Sequence, residues 1–592
     1  MPHATAIELP VPTPAPRRSI LAPGPVAALT GLASFVMGMS ALARSQPEED
    51  AYILFRYVRH IVQGQGIVFN PGGGHAEGAT DFLWLVLLSG LTWLGLDTAV
   101  AAALLNAVGA GIATFILCRV LQAWMPSGWR AACLVLVPLA ILCSSGASAG
   151  LGGFSSMLYA ALALLAVHLS LELPADKLIW VPALTLALGL FRPDGVFIGA
   201  GVAAVAGVRA WRLGAFRAYA LGLGVVALLG AGYFVWRYRY FGLPLPLPLY
   251  VKSHVGEPDK VARLPAVLRR LFTALPGLGA NLHWFTAGGV LGAMGAGALC
   301  ATLLWRKERS LTPWPTRLLG ALPFLALWGA LCLALQIQNI DWRFQAPIQL
   351  AALYFTLRGV AAVRERRLIS PALATALVAA TAAGILFVGV PRVRRQLDPD
   401  RGGYLDTFAA RLGGMLPPRT RIAVTEAGRL PFWTEANVLD TVGLNSPDTA
   451  VRPVSRAILE KFDPQILMFH HASTLDFSRL APGQQVQPVE SLAALVSQGS
   501  ARDYAASPTE FSDLHFSVVR LAALVMARYL EDHRAEFDVL AVDTEGDGSY
   551  AHVYGFRKGM DTAAAVQMIR HTVKRENRVP YLALRRETAQ PR

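Results

Sequence analysis

Long apolar runs recur along this 592-residue chain and stop near Pro391, and arginines collect at alternate ends of them. That alternation constrains the fold more than any other feature. An apolar run of about 20 residues spans a bilayer as a helix, and cytoplasmic loops hold the excess of Lys and Arg. Composition agrees, with 54% hydrophobic and 16% charged residues and a mean hydropathy of +0.44. These values point to a polytopic membrane protein rather than a soluble one. The net charge of +14 is then topology-setting arginine, not a nucleic-acid footprint. All five cysteines lie in or beside apolar segments without paired spacing, which indicates neither a disulfide framework nor a zinc site.

The basic clusters Arg119 with Arg130, Arg209 to Arg217, Arg306 to Arg309 and Arg358 to Arg367 must share one side. They do so with spans near residues 98–118, 131–149, 152–171, 178–191, 195–208, 215–236, 284–305, 317–337, 344–360 and 370–391. An uncleaved anchor from Ile20 to Ala43, too long for a signal-peptide core, brings the total to about 11 spans. The apolar stretch Phe82 to Leu96 keeps this parity only as a re-entrant or interfacial helix. Expected organisation is therefore a proline-rich disordered cytoplasmic tail at 1–18, a polytopic α-helical membrane domain at 19–391, and a soluble α/β domain at 392–592 on the outer face. The last follows from short β-rich runs at 421–428, 436–443, 464–469 and 538–543 separated by helical or turn-like sequence.

This topology exports four polar clusters to one face. The first, Glu48 to Gly78, opens with Glu49 and Asp50. Apolar residues follow at helical spacing, with Tyr52, Arg56, Arg59 and Gln63 opposite, which predicts an amphipathic helix on the outer leaflet. Asp50 serves as helix cap, as catalytic carboxylate, or as both. The turn Asn70-Pro71-Gly72-Gly73-Gly74 brings the chain back, and Glu77 is expected to return toward Asp50. The second cluster, Arg192-Pro193-Asp194-Gly195, is a hairpin turn with a local ion pair or a phosphate site. In the third, Pro244, Pro246 and Pro248 predict extended backbone leading to Tyr250, Lys252 and His254, which are headgroup anchors or ligands. In the fourth, Asp341 and Arg343 either pair with each other or line the same cavity as Asn339. His470 and His471 are adjacent on a strand and point apart, which argues against a metal site.

Several of these segments resemble the glycosyltransferase-C superfamily. Within it, the stretch from Glu49 to Trp84 is most similar to actinobacterial terminal β-arabinofuranosyltransferases and their proteobacterial relatives. Arg192-Pro193-Asp194-Gly195, the run ending at Lys252, and residues 422–450 extend the likeness over most of the chain. The resemblance implies a multi-pass protein of a bacterial inner (plasma) membrane with its C-terminal domain periplasmic. It implies inverting transfer of a sugar, arabinofuranose in the nearest families, from a polyprenyl-phosphate donor to a glycan or glycoprotein acceptor, with no cofactor required and no nucleic-acid partner. Asp50, or its neighbour Glu49, is the implied base. Tyr52, Arg56, Asn70, Glu77, Arg192, Asp194, Tyr250, Lys252, His254, Asp341 and Arg343 are the expected substrate-binding residues. Relatives have two aspartates where this chain has Glu49-Asp50, and a Gly-Leu-Glu element where it reads Gly150-Leu151-Gly152. A transporter or flippase of a lipid-linked sugar is the competing reading. It calls for polar residues through the membrane midplane rather than on one face.

Overall fold

The computed structural model describes residues 25–42, 46–122, 127–253, 265, 320–333, 339–365, 370–398, 401–472, 485–498, 514–544 and 546–589. His254 and the expected span at 284–305 lie outside them. The helical part comprises α1 (Pro25–Leu42), α2 (Glu49–Val62), α3 (Phe82–Trp93), α4 (Thr98–Gln122), α5 (Ser127–Leu142), α6 (Ser145–Leu151) and α7 (Ser156–Glu172). It continues with α8 (Val181–Phe191), α9 (Gly195–Arg212), α10 (Phe216–Phe241), α11 (Leu247–Ser253), α12 (Leu322–Leu333), α13 (Ala346–Glu365) and α14 (Pro371–Gln396).

Four of these helices, α4, α9, α10 and α14, are long and apolar enough to cross a membrane. Shorter apolar helices fall at Val26–Ala41, Phe82–Trp93, Ser156–Glu172 and Leu322–Cys332. With 12 residues, α3 reaches about 18 Å, short of a hydrocarbon core of about 30 Å. The run expected as one span at 131–149 is instead two helices. Ser144 caps the second by accepting the Ala147 N–H at 3.3 Å, and an N-cap hydroxyl favours a helix start over a continuing helix. Along α10 the apolar side chains face outward, Leu221 66% and Leu228 75% exposed, which suits lipid rather than water.

Among the described residues six strands form one sheet: β1 (Arg421–Val424), β2 (Asn437–Asp440), β3 (Ile466–Ala472), β4 (Val486–Pro488), β5 (Phe537–Asp543) and β6 (Tyr550–Arg557). Their order is β2-β1-β3-β6-β5-β4. β2, β1 and β3 are parallel, and the remaining pairs are antiparallel. β6 escapes the sequence pattern because its residues are buried on both faces, so apolar and polar positions do not alternate.

Two expectations from sequence change here. The polar face of α2 does not lie on a leaflet: Tyr52 and Arg56 are buried. Tyr52 packs against Phe432 at 5.1 Å and Tyr581 at 5.7 Å. Arg56 donates to the carbonyls of Phe69 (2.7 Å), Ala436 (2.6 Å) and Pro431, and reaches Asn70 Oδ1 at 3.3 Å. The face that reads as polar is thus the face that docks the sheet-bearing part. Likewise the proline run does not stay extended. Pro248 enters the first turn of α11, where its missing N–H has no intrahelical acceptor to lose.

Asn70 completes the docking by accepting the Val438 N–H (2.9 Å) and donating to the Val438 carbonyl (2.8 Å), which adds one rung to the edge of β2. Replacing Arg56 with Met keeps its stem but strands buried carbonyls, at about 1–3 kcal/mol for each group left unpaired. The thermal midpoint of the detergent-solubilised protein is expected to fall by at least about 5 °C. An unchanged midpoint would show that the docking does not depend on this guanidinium.

Candidate functional site

The first two residues of α2 project about 100° apart, and the structure uses both directions. Asp50 faces Arg343, whose Nη2 donates to Asp50 Oδ2 at 3.3 Å. The Arg343 guanidinium lies 4.0 Å from the Phe154 ring centroid and 5.3 Å from Phe344. Arg192 approaches the same Phe344 ring at 5.3 Å and Tyr159 at 5.2 Å, so one aromatic ring spaces the two cations. Arg192 is occupied by Asp194 at 2.9 and 3.4 Å, with Asp81 at 3.8 Å. Asp81 in turn accepts the Ser155 hydroxyl at 2.6 Å.

Free capacity is concentrated on Arg343. Its Nε is buried without a hydrogen-bond partner, and so is the Tyr159 hydroxyl. Burial pushes the Arg343 guanidinium down from its usual range and the Asp50 charge opposes this. Unpaired donors in a buried recess are costly unless a ligand or water meets them. An oxyanion is the chemistry that fits them.

The turn that aims Arg343 is strained. Asp341 and Trp342 have φ values of 51° and 60°, a left-handed conformation that costs a non-glycine residue about 1–2 kcal/mol. It is braced, because buried Asp341 accepts from Ser148 Oγ (2.8 Å), Gln396 Nε2 (2.6 Å) and Arg395 Nη2 (2.9 Å). Gln396 also donates to Glu48 Oε1 at 3.0 Å, and Arg401 pairs with Glu48. The Glu48 side chain lies against Gly152, where a Cβ would meet its Cγ at 2.6 Å. Asp341 is therefore a brace and neither pairs with Arg343 nor opens into its recess.

Glu49 turns the other way. Its Oε1 accepts the N–H groups of Gly428 (2.6 Å) and Arg429 (3.0 Å), and Arg429 Nη1 lies 3.4 Å from Oε2. Arg429 also binds Asp406 at 3.2 Å. Burial, then the neighbouring Glu426 charge, push the Glu49 carboxyl up to about 8 against the pull of Arg429 and the two N–H groups. The expected return of Glu77 toward Asp50 is also replaced: Glu77 is buried in a two-point ion pair with Arg237, which donates to the Pro244 carbonyl at 3.0 Å as well. Arg237, at the end of α10, offers Glu77 the opposite charge that a second carboxylate such as Asp50 cannot. Tyr250 is buried on α11.

Of the residues singled out in the sequence, the structure thus brings together Asp50, Arg192, Asp194 and Arg343. Tyr52, Arg56, Asn70, Glu49, Glu77 and Asp341 go to docking and bracing. Asp81, Ser155, Tyr159 and Phe344 were missed. Only Asp81 left a signal, as a carboxylate opening the apolar run of α3. Among the described residues no group of three or more His, Cys, Asp or Glu is arranged to hold a metal ion.

A family described as a domain of unknown function (DUF8728) matches residues 396–546. No curated protein matches. The crystal structure of ArnT from Cupriavidus metallidurans bound to undecaprenyl phosphate is 14% identical, over 78% of this chain and 95% of that chain, with a TM-score of 0.41. The apo structure of the same protein is 15% identical, over 75% and 92%, with a TM-score of 0.40.

The state of Glu49 has a measurable consequence. A carboxyl raised to about 8 in the fold from an ordinary 4.5 binds its proton more tightly folded than unfolded. Its contribution to stability is complete below pH 4.5 and is lost as pH rises toward 8. Thermal midpoints followed from pH 5 to 9 should decline more steeply in the wild type than in Glu49→Gln, with the variant the more stable at pH 8. Parallel profiles would sink the assignment.

Proposed function

We propose that the chain is a membrane glycosyltransferase of the glycosyltransferase-C type that transfers a sugar from a polyprenyl-phosphate donor to a glycan or glycoprotein acceptor outside the cytoplasmic membrane. The observation that carries this is the Asp50–Arg343 contact at 3.3 Å beside a buried Arg343 Nε and Tyr159 hydroxyl that lack partners. A carboxylate at the edge of an anion-binding recess is what displacement of a phosphate by a hydroxyl needs. The sequence resemblance of residues 49–84 supports the same chemistry, and arabinofuranose is the donor sugar it favours.

In this reading the donor phosphate takes the unused N–H groups of Arg343, with Arg192, on the other side of the Phe344 ring, available to it only by exchange with Asp194. The phosphate competes with Asp50 for the guanidinium and leaves the carboxylate to face the acceptor. The acceptor oxygen then forms a bond to the anomeric carbon as the carbon–phosphate oxygen bond breaks. The electron pair leaves on polyprenyl phosphate, the hydroxyl proton passes to Asp50, and the anomeric centre inverts. A positioned base contributes about 10²–10⁴-fold, and preorganised cations at the leaving oxygen add a comparable electrostatic gain. Residues 1–18, 19–391 and 392–592 then act as tail, catalytic membrane domain and periplasmic domain.

Purified protein supplied with polyprenylphosphoryl arabinose and an oligosaccharide acceptor is expected to transfer sugar. Asp50→Asn should lower kcat by about 10²–10⁴-fold with the donor KM little changed. Arg343→Gln should raise the donor KM as well as lower kcat. Undiminished transfer by Asp50→Asn would remove the base, and no transfer by the wild type from arabinose or mannose donors would remove the enzyme reading.

A further inference from the structure

A second group of chemically active side chains lies on the sheet side of α2. Continuing the β1–β3 register beyond Val424↔Met468 sets Glu426 beside His470, and His470 pairs directly with His552 on β6. Neighbours in register share a face, so the three form a row at the C-terminal ends of the parallel strands. The strand order reverses between β1 and β3, the position at which open α/β sheets present a ligand crevice. Glu49 of α2 reaches the same loop, accepting the N–H groups of Gly428 and Arg429, two and three residues beyond Glu426.

Its hydrogen bonding is incomplete. Glu426 accepts no hydrogen bond; its nearest donors are His470 Nδ1 and His552 Nε2, each at 3.7 Å, beyond bonding range. The imidazoles are nevertheless fixed from behind. His470 Nδ1 is held by the Thr425 hydroxyl at 2.8 Å. His552 Nδ1 is held by the Tyr404 hydroxyl at 2.7 Å, which also meets Tyr554. The His552 side chain is 9% exposed and sends an unbonded Nε2 toward Glu426, while Glu426 and Glu49 are each 21% exposed. A mostly buried carboxylate and an oriented imidazole therefore lie 3.7 Å apart, close enough for one ligand oxygen seated beside them to bond both, and each is partly open to solvent.

We propose that this crevice, lined by Glu49, Glu426, His470 and His552, is a carbohydrate subsite that holds a neutral sugar residue of the acceptor by its hydroxyl groups. A hydroxyl both donates and accepts, so a single one satisfies Glu426 and His552 together. The Glu426 carboxylate repels phosphate, and Arg429 beside Glu49 disfavours a cation, which leaves a neutral polyol. The Tyr550 ring, 5.6 Å from His470, offers an apolar edge to a sugar's C–H face. Glu49 and Asp50 are consecutive, with Cα atoms about 3.8 Å apart, so this subsite and the Asp50 recess lie on two sides of the same helix end. The assignment of this sugar to an acceptor rests on the transferase reading, whereas binding itself does not.

Saturation-transfer NMR on the full-length detergent-solubilised protein, without donor, tests the site with arabinobiose, mannobiose and maltose as probes. Wild type and Asp50→Asn should both bind at least one of them. Glu426→Gln and His552→Gln, checked for unchanged thermal midpoints, should weaken that binding about tenfold, the loss of one charge-assisted hydrogen bond. No binding by the wild type, or equal binding by both variants, overturns the proposal. Loss of the transferase reading has a different signature, in which binding still depends on Glu426 while no donor supports turnover.

Discussion

Two adjacent carboxylates at the start of one helix cannot face the same partner, and the arrangement of this protein follows from that constraint. Successive helical side chains diverge by about 100°. Asp50 is committed to the arginine recess among the membrane helices and Glu49 to the loop that follows β1. Helix α2 is thereby fixed between the two parts of the molecule rather than resting on a surface. Its buried Arg56 and Tyr52 then have a structural reason: a helix trapped on two sides must satisfy its polar side chains against backbone carbonyls and rings.

The recess depends on a second layer. Arg343 reaches Asp50 because the two preceding residues hold left-handed backbone. That conformation persists because Ser148, Arg395 and Gln396 saturate Asp341. Gln396 and Arg401 also hold Glu48, so the segment before α2, helix α6, the turn before α13 and the end of α14 meet in one polar network. The Glu48 side chain packs against Gly152, where a Cβ would meet its Cγ at 2.6 Å.

Much of the architecture was legible because it depends on long periodic patterns. Apolar runs located α4, α9, α10 and α14, and β-rich runs located β1, β2, β3 and β5. Boundaries set by a single side chain were not legible, as with Ser144 dividing a long apolar run. Of the site, Asp50, Arg192, Asp194 and Arg343 stood out as charged residues at the ends of apolar runs. Asp81 was hidden by its apolar neighbours, and Tyr159 and Phe344 read as ordinary core.

The sequence by itself determined which residues can be charged and which runs can cross a membrane, since these follow from local chemistry and periodicity. Only the tertiary structure decided who pairs with whom. It gave Glu77 to Arg237, Asp341 to Gln396 and Glu49 to Gly428, and left Asp50 for Arg343. The reason is that an ion pair or a buried hydrogen bond is a competition among all groups within reach. Reach across hundreds of residues is set by the packed chain, not by spacing along it.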